Sequence, residues 1–155
     1  MLSQLKRLNI ETDGRYATEA DLAFLKSYLQ SVRDRISAYE KIRDAEDAIT
    51  DQADEVLMAA DPKVFHKGSQ DYSETCRRDR RNTLRHAAAA MLFNDLDRLR
   101  DGLLLWQRTI VHAVKDEQAS ALTWQEMPGV LKDHLSDEEA ELMMPALRLN
   151  QALLN

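Results

Sequence analysis

"TCRRDRRNTLRHAAAAMLFND", from Thr75 to Asp95, is the stretch on which the fold turns. It opens with the chain's single cysteine, Cys76, and places five arginines and one aspartate in the next nine residues. It closes in an apolar run that ends at Asn94-Asp95. Strand-type alternation is absent, and the spacing predicts a helix over 75–93 that breaks or kinks at Asn94-Asp95. On that helix Cys76, Asp79 and Thr83 share a face at i, i+3 and i+7. A surface helix usually alternates its charges, so so many guanidinium groups around one thiol call for a reason.

The neighbouring segments are helical as well. Leu2, Leu5, Leu8 and Ile10 make a short amphipathic start, closed by an Asp13-Gly14 turn. Thr18 and Asp21 have the spacing of a capping box, and Leu22, Leu25, Leu29, Val32 and Ile36 follow on one face. Ile42, Ala45, Ile49, Ala53 and Val56 continue beyond a bend until Asp61-Pro62, where proline ends the ladder. Residues 64–72 read as a loop around Gly68-Ser69. Leu99, Leu103, Trp106, Ile110 and Ala113 mark an apolar helix over 96–114, with Gly102 expected where another helix packs closely. Pro128-Gly129 is expected to separate the next pair of helices. Ser136 starts the last one, with three acids at the positive end of the helix dipole. The fold class is all-α.

At 155 residues the chain has the size of one domain, 1–155, able to bury its own core. A net charge of −6 argues against a nucleic-acid-binding face. One cysteine excludes an intramolecular disulfide and fits a reducing compartment. No signal-peptide pattern follows Met1, and no apolar run approaches the roughly 20 residues of a membrane span. The expected location is cytoplasmic. No serine elbow, phosphate loop or paired-acid motif stands out, and no Cys/His spacing fits a zinc site, which makes the reading non-enzymatic with no metal. His66, His86, His112 and His134 are isolated and lie outside any haem-ligating pattern, so ordinary surface or core roles suit them better.

"GRYATEADLAFLKSYL" (14–29), then Ile49, Ala53 and Leu57, "DPKV", a glycine and a tyrosine, and finally the Cys76 segment, together resemble the phycobiliprotein superfamily. The resemblance covers residues 9–100 and is weak beyond Leu103. It implies a globin-like helical fold with an N-terminal helical extension for dimerisation, here residues 1–17. Leu5, Leu8, Asp13 and Tyr16 would lie at that interface, with Asp13 paired to Arg85 of the partner. The resemblance also implies a linear tetrapyrrole such as phycocyanobilin. Cys76 would be the attachment thiol, Arg78 would meet a propionate and Asp79 would accept hydrogen bonds from the inner pyrrole nitrogens. Thr83 lies on the same face, and Arg85 near the chromophore helix and the subunit contact. The chemistry is consistent: guanidinium pairs bidentately with carboxylate, an ionised acid accepts N–H, and nearby positive charge favours a thiolate.

The chain departs from the antenna pattern at several points. It is about one helical turn shorter between Tyr72 and Cys76. "HKGSQDY" replaces a Gly-Gly-Asn element, Asn82 and Thr83 replace an aromatic pair, and Arg77, Arg80 and Arg81 have no clear counterparts. In these respects it looks more like the divergent members whose genes accompany bilin-synthesis enzymes. Cys76 is then either an attachment site or a small buried hydrophobe. Arg77 and Arg81 are expected on a solvated face, Trp106 in the core and Trp124 partly buried. The leading reading is a non-enzymatic bilin-binding or bilin-biosynthesis protein, a homodimer or phycobiliprotein-like heterodimer working beside bilin-synthesis enzymes. One rival is a light-harvesting antenna subunit with covalent bilin on Cys76. The other is a pigment-free, cofactor-free interaction module whose arginines meet an acidic partner.

Overall fold

The computed structural model describes all 155 residues. α1 (Leu2–Glu11) is tied down at its start, where the Asp95 carboxylate accepts from the Ser3 backbone N–H and hydroxyl, both at 2.8 Å. The Thr18–Asp21 capping box forms as expected and opens α2 (Glu19–Asp44). A break at Ala45 leads into α3 (Glu46–Ala60), which stops before Pro62. The segment expected as loop contains a small antiparallel hairpin, β1 (His66–Lys67) against β2 (Gln70–Asp71), turned by Gly68 at a φ of +64°. α4 (Ser73–Phe93) follows and ends on Asn94 in the left-handed region, so the predicted stop holds. One rod then runs through α5 (Leu96–Leu99), a π turn (Arg100–Leu104) and α6 (Leu105–Ala113). α7 (Glu117–Lys132) and α8 (Asp137–Leu153) complete the chain, the latter opened by a Ser136–Glu139 capping box.

α4 lies between α2 and α8, and α7 between α3 and α8. Where they meet, 22 buried apolar residues form a continuous cluster that includes Ile49, Leu84, Met91, Leu104, Met127, Met143 and Leu147. α2 enters this core on a different stripe from the one expected. Tyr28, Arg35, Ala38 and Ile42 are buried, while Leu29 and Ile36 face outward. The reason lies at the C-terminal end of α4, whose last carbonyls lack helical partners. The Tyr28 hydroxyl donates to Leu92 O at 3.2 Å, and the Arg35 guanidinium donates to Met91 O. Polar tips on α2 cap α4, and two aliphatic side chains are turned out as a result.

The π turn corrects a second expectation. One extra residue in the turn carries the buried stripe from Leu99 to Leu104, and from there at ordinary spacing to Val111, so Trp106, expected in the core, is 64% exposed. Gly102 is itself exposed in that turn, and a side chain there would meet nothing, so it marks no close helix contact. Pro128 does not divide two helices either. α7 passes through it, with Met127, Val130 and Leu131 buried on both sides of the missing N–H.

Candidate functional site

α4 turns its arginines in two directions. Towards α3, Arg77 bonds Asp51 and Asp54, Arg81 bonds Asp47, and Arg85 takes Glu46 in a fork of two 2.6 Å bonds. The acids at 47, 51 and 54 recur at the spacing that keeps them on one side of α3. With Glu46 they meet the arginines in reversed order, Asp51 and Asp54 at Arg77, Asp47 at Arg81 and Glu46 at Arg85, as antiparallel helices require. Arg77 and Arg81 were expected on a solvated face, but they form this seam. Arg85 was expected beside a chromophore and opposite Asp13 of a second chain. Within the chain its partner is Glu46, away from the cavity described below, while Asp13 lies on an exposed turn.

On its other side, α4 borders a cavity of about 520 Å³. Cys76 and Arg80 lie on the inner side, and Arg78, Asp79 and Asn82 on the outer side. Trp106 and Ile110 come from α6, and Trp124 from α7. The hairpin closes one end: Lys67 reaches the α6–α7 junction, donating to Val114 O at 2.7 Å and pairing with Asp116 at 2.9 Å. Its ammonium lies 5.6 Å from the centre of the Tyr72 ring, within cation–π range. Trp124, expected partly buried, is only 2% exposed and forms a wall of both cavity and core.

Cys76, Arg78 and Asp79 are therefore brought together, but not as a buried trio. Arg78 and Asp79 are exposed at the mouth and bond each other at 3.1 Å. Thr83 is buried behind the cavity wall, its hydroxyl bonding Asp79 O (2.8 Å) and the Gln107 amide (2.9 Å). It lines nothing. It shapes the site through Gln107, which does line the cavity.

The thiol behaves contrary to expectation. Burial, reinforced by the negative charge of Asp116, pushes Cys76 up to about 11, and Arg80 and Lys67 offset this only in part. The arginines do not overcome that burial, because each of the five is paired with an acid. Sequence reasoning missed Arg80 and Lys67. Arg80 was legible as the residue four after Cys76, on the same helical face. Lys67 was hidden by reading a Gly-Ser hairpin as loop.

The histidines take ordinary places. His112 pairs with Glu117, His134 with Gln52, and His66 and His86 are exposed; none lines the cavity. No cluster of His, Cys, Asp and Glu is arranged to hold a metal ion, and no helix is long and apolar enough to cross a membrane.

The family model described as phycobilisome protein matches residues 8–153. The match includes the segment beyond Leu103, where the resemblance in the sequence is weak. No curated protein matches the chain. The helical order and the family match together bear out the all-α, globin-like expectation.

Proposed function

The chain belongs to the phycobilisome protein family, and from that premise we propose that the cavity beside α4 holds an open-chain tetrapyrrole, such as phycocyanobilin, which the protein carries without converting. The observation that supports this is the composition of the cavity wall: two tryptophans, a guanidinium–carboxylate couple and two further cations around one half-buried thiol. A bilin is a long apolar chain of pyrrole rings with two carboxylates and inner N–H donors. Cavities of about 300–1,000 Å³, apolar with a few placed polar groups, suit ligands of that size. When bound, the pigment supplies absorption of visible light. Trp106 and Trp124 offer aromatic faces to its rings. Arg78 and Lys67 offer donors to its carboxylates, and Asp79 offers an acceptor to its inner nitrogens.

Reversible holding fits this site better than covalent attachment. With Cys76 up to about 11, on the order of one thiol in a few thousand is ionised at pH 7.5, and the thiolate is the nucleophile. That weighs against the antenna reading and leaves the role beside bilin-synthesis enzymes as the preferred one. The pigment-free module loses its motive, since Arg77, Arg81 and Arg85 are already paired within the chain. Co-expression with a bilin-producing system is expected to yield a coloured native protein that loses its pigment on denaturation. No visible absorbance before or after denaturation would remove the pigment from the reading. Zinc-induced fluorescence in a denaturing gel, abolished by Cys76→Ala, would restore covalent attachment.

The association surface belongs to the same reading. Ile10 and Tyr16, the latter 98% exposed, stand outward with Leu29 and Ile36, while Leu5 and Leu8 are half-buried. We place a dimer contact on α1 and this stripe of α2. Ile10→Asp is expected to shift the protein to monomer in sedimentation. An unchanged sedimentation coefficient, dimeric or monomeric in both proteins, would count against that placement.

A further inference from the structure

Arg80 is unlike the other arginines of α4. It is 4% exposed, and its Cζ lies 5.5 Å from the centre of the buried Phe65 ring. Its one carboxylate partner, Asp54, is shared: one oxygen takes Arg80 and the other takes Arg77. The Arg80 Nε–H has no partner at all, although it is shielded from water. Burial draws this guanidinium below its ordinary value, with Asp54 opposing, as expected of a cation short of solvation. The Nε–H of Arg81, next in sequence, also lacks a hydrogen-bond partner, but it lies 3.8 Å from the Glu46 carboxylate and its side chain does not line the cavity.

A guanidinium has five N–H donors, and a buried donor left unpaired is unfavourable. Arg80 also lines the cavity, one helical turn after Cys76. We propose that Arg80 is the deep anchor of the cavity, receiving a carboxylate of the bound ligand on its free N–H groups. The site would thus select an acidic ligand that enters carboxylate-first. This rests on the reading of the cavity as a tetrapyrrole site and deepens it. The rim cations Arg78 and Lys67 serve less well as selectors. Arg78 is largely exposed and already engaged by Asp79, and Lys67 by Asp116 and Val114 O. A charge at the mouth is screened, whereas a pair made in the interior is not.

The test compares biliverdin, an open-chain tetrapyrrole diacid, with its dimethyl ester, by absorbance or fluorescence titration of the purified protein. Wild type is expected to bind the diacid about tenfold or more tighter than the ester. Arg80→Gln is expected to bring the diacid down to the affinity of the ester and leave the ester unchanged. Arg78→Gln is expected to change the diacid by less than about threefold. Equal wild-type affinities for the two ligands would overturn the anchor and leave the bilin site standing. So would an Arg80→Gln protein that retains the diacid preference, or one that loses both ligands alike. If neither ligand binds wild type, the bilin reading fails and the anchor fails with it. Should Arg80→Gln not fold, Arg80→Lys decides. The ammonium lacks the planar fork, so diacid binding should weaken severalfold with the ester unaffected. A lysine variant matching wild type on both ligands would reject the proposal.

Discussion

Towards α3, α4 presents Arg77, Arg81 and Arg85 to Asp47, Asp51, Asp54 and Glu46, and every guanidinium has a carboxylate. Towards α6 and α7 it presents Cys76 and Arg80 to a cavity whose mouth is marked by an exposed Arg78–Asp79 couple, and there one buried donor is left free. The same residue types do different work on the two sides. On the first, charge is matched pair by pair, and the helices are locked in antiparallel register. On the second, a cation and a thiol are buried without full compensation, a cost that packing alone does not explain. Charge that is paired within the chain is most simply structural. A buried guanidinium beside a cavity with an N–H group left over is available to a ligand.

The comparison breaks most visibly at Asp54, which serves both sides. Asp54→Ala is expected to lower stability by about 3–5 kcal/mol in urea or thermal unfolding, because it strands the buried Arg80 charge. A loss within about 0.5 kcal/mol would mean that Arg80 is solvated and that the two sides do not differ. Next comes the thiol. With Cys76 up to about 11, iodoacetamide should label it at pH 8 about a hundredfold more slowly than a free cysteine. The rate should climb steeply above pH 9. Rapid labelling at neutral pH would show that the arginines do activate it after all.

pH separates the two sides further. The Arg85 fork, against the opposing effect of burial, holds Glu46 below its usual carboxylate range. A lowered acid contributes stability that is present above the unfolded value, 4.5, and is lost as pH falls through the folded one. Cys76 has the opposite sign. Its raised value contributes stability that is present below the unfolded 9.0 and is lost as pH rises towards about 11. Acid melts should therefore weaken when Glu46 is changed to Gln, and alkaline melts when Cys76 is changed to Ala. The smallest effect belongs to Trp106. Trp106→Ala is expected to change stability by no more than about 0.5 kcal/mol, since most of the ring is in solvent, while weakening pigment retention. If it destabilises the fold as a core tryptophan would, the cavity wall is structural.

Much of the fold was legible in the sequence. Thr18 with Asp21, Ser136 with Glu139, Pro62 and Asn94 mark element ends through local hydrogen bonds and dihedral preferences, and each does what its chemistry predicts. The failures share a cause. Leu29, Ile36 and Trp106 were placed by assuming an unbroken 3.6-residue period, which carbonyls distant in sequence overrode for the first two and a break in the helical ladder just before it overrode for Trp106. The Met91 and Leu92 carbonyls drew Tyr28 and Arg35 inward, and the π turn shifted the phase of α6. The site divides in the same way. Cys76 and Asp79 could be grouped from spacing, and Arg78 joined them through the family resemblance, but Thr83 and Arg85 could not be excluded from the cavity without knowing that Gln107 and Glu46 were waiting for them.

By itself, then, the order of residues determined which segments are helices, where they begin and end, and which side of α4 carries the chemistry, because these depend on interactions within a few residues. The tertiary structure alone decided that the arginines are answered by the acids of α3, that the thiol is held protonated, and that Arg80 is buried with a donor to spare. Pairing, desolvation and cavity shape depend on which helices meet, and no local spacing encodes that.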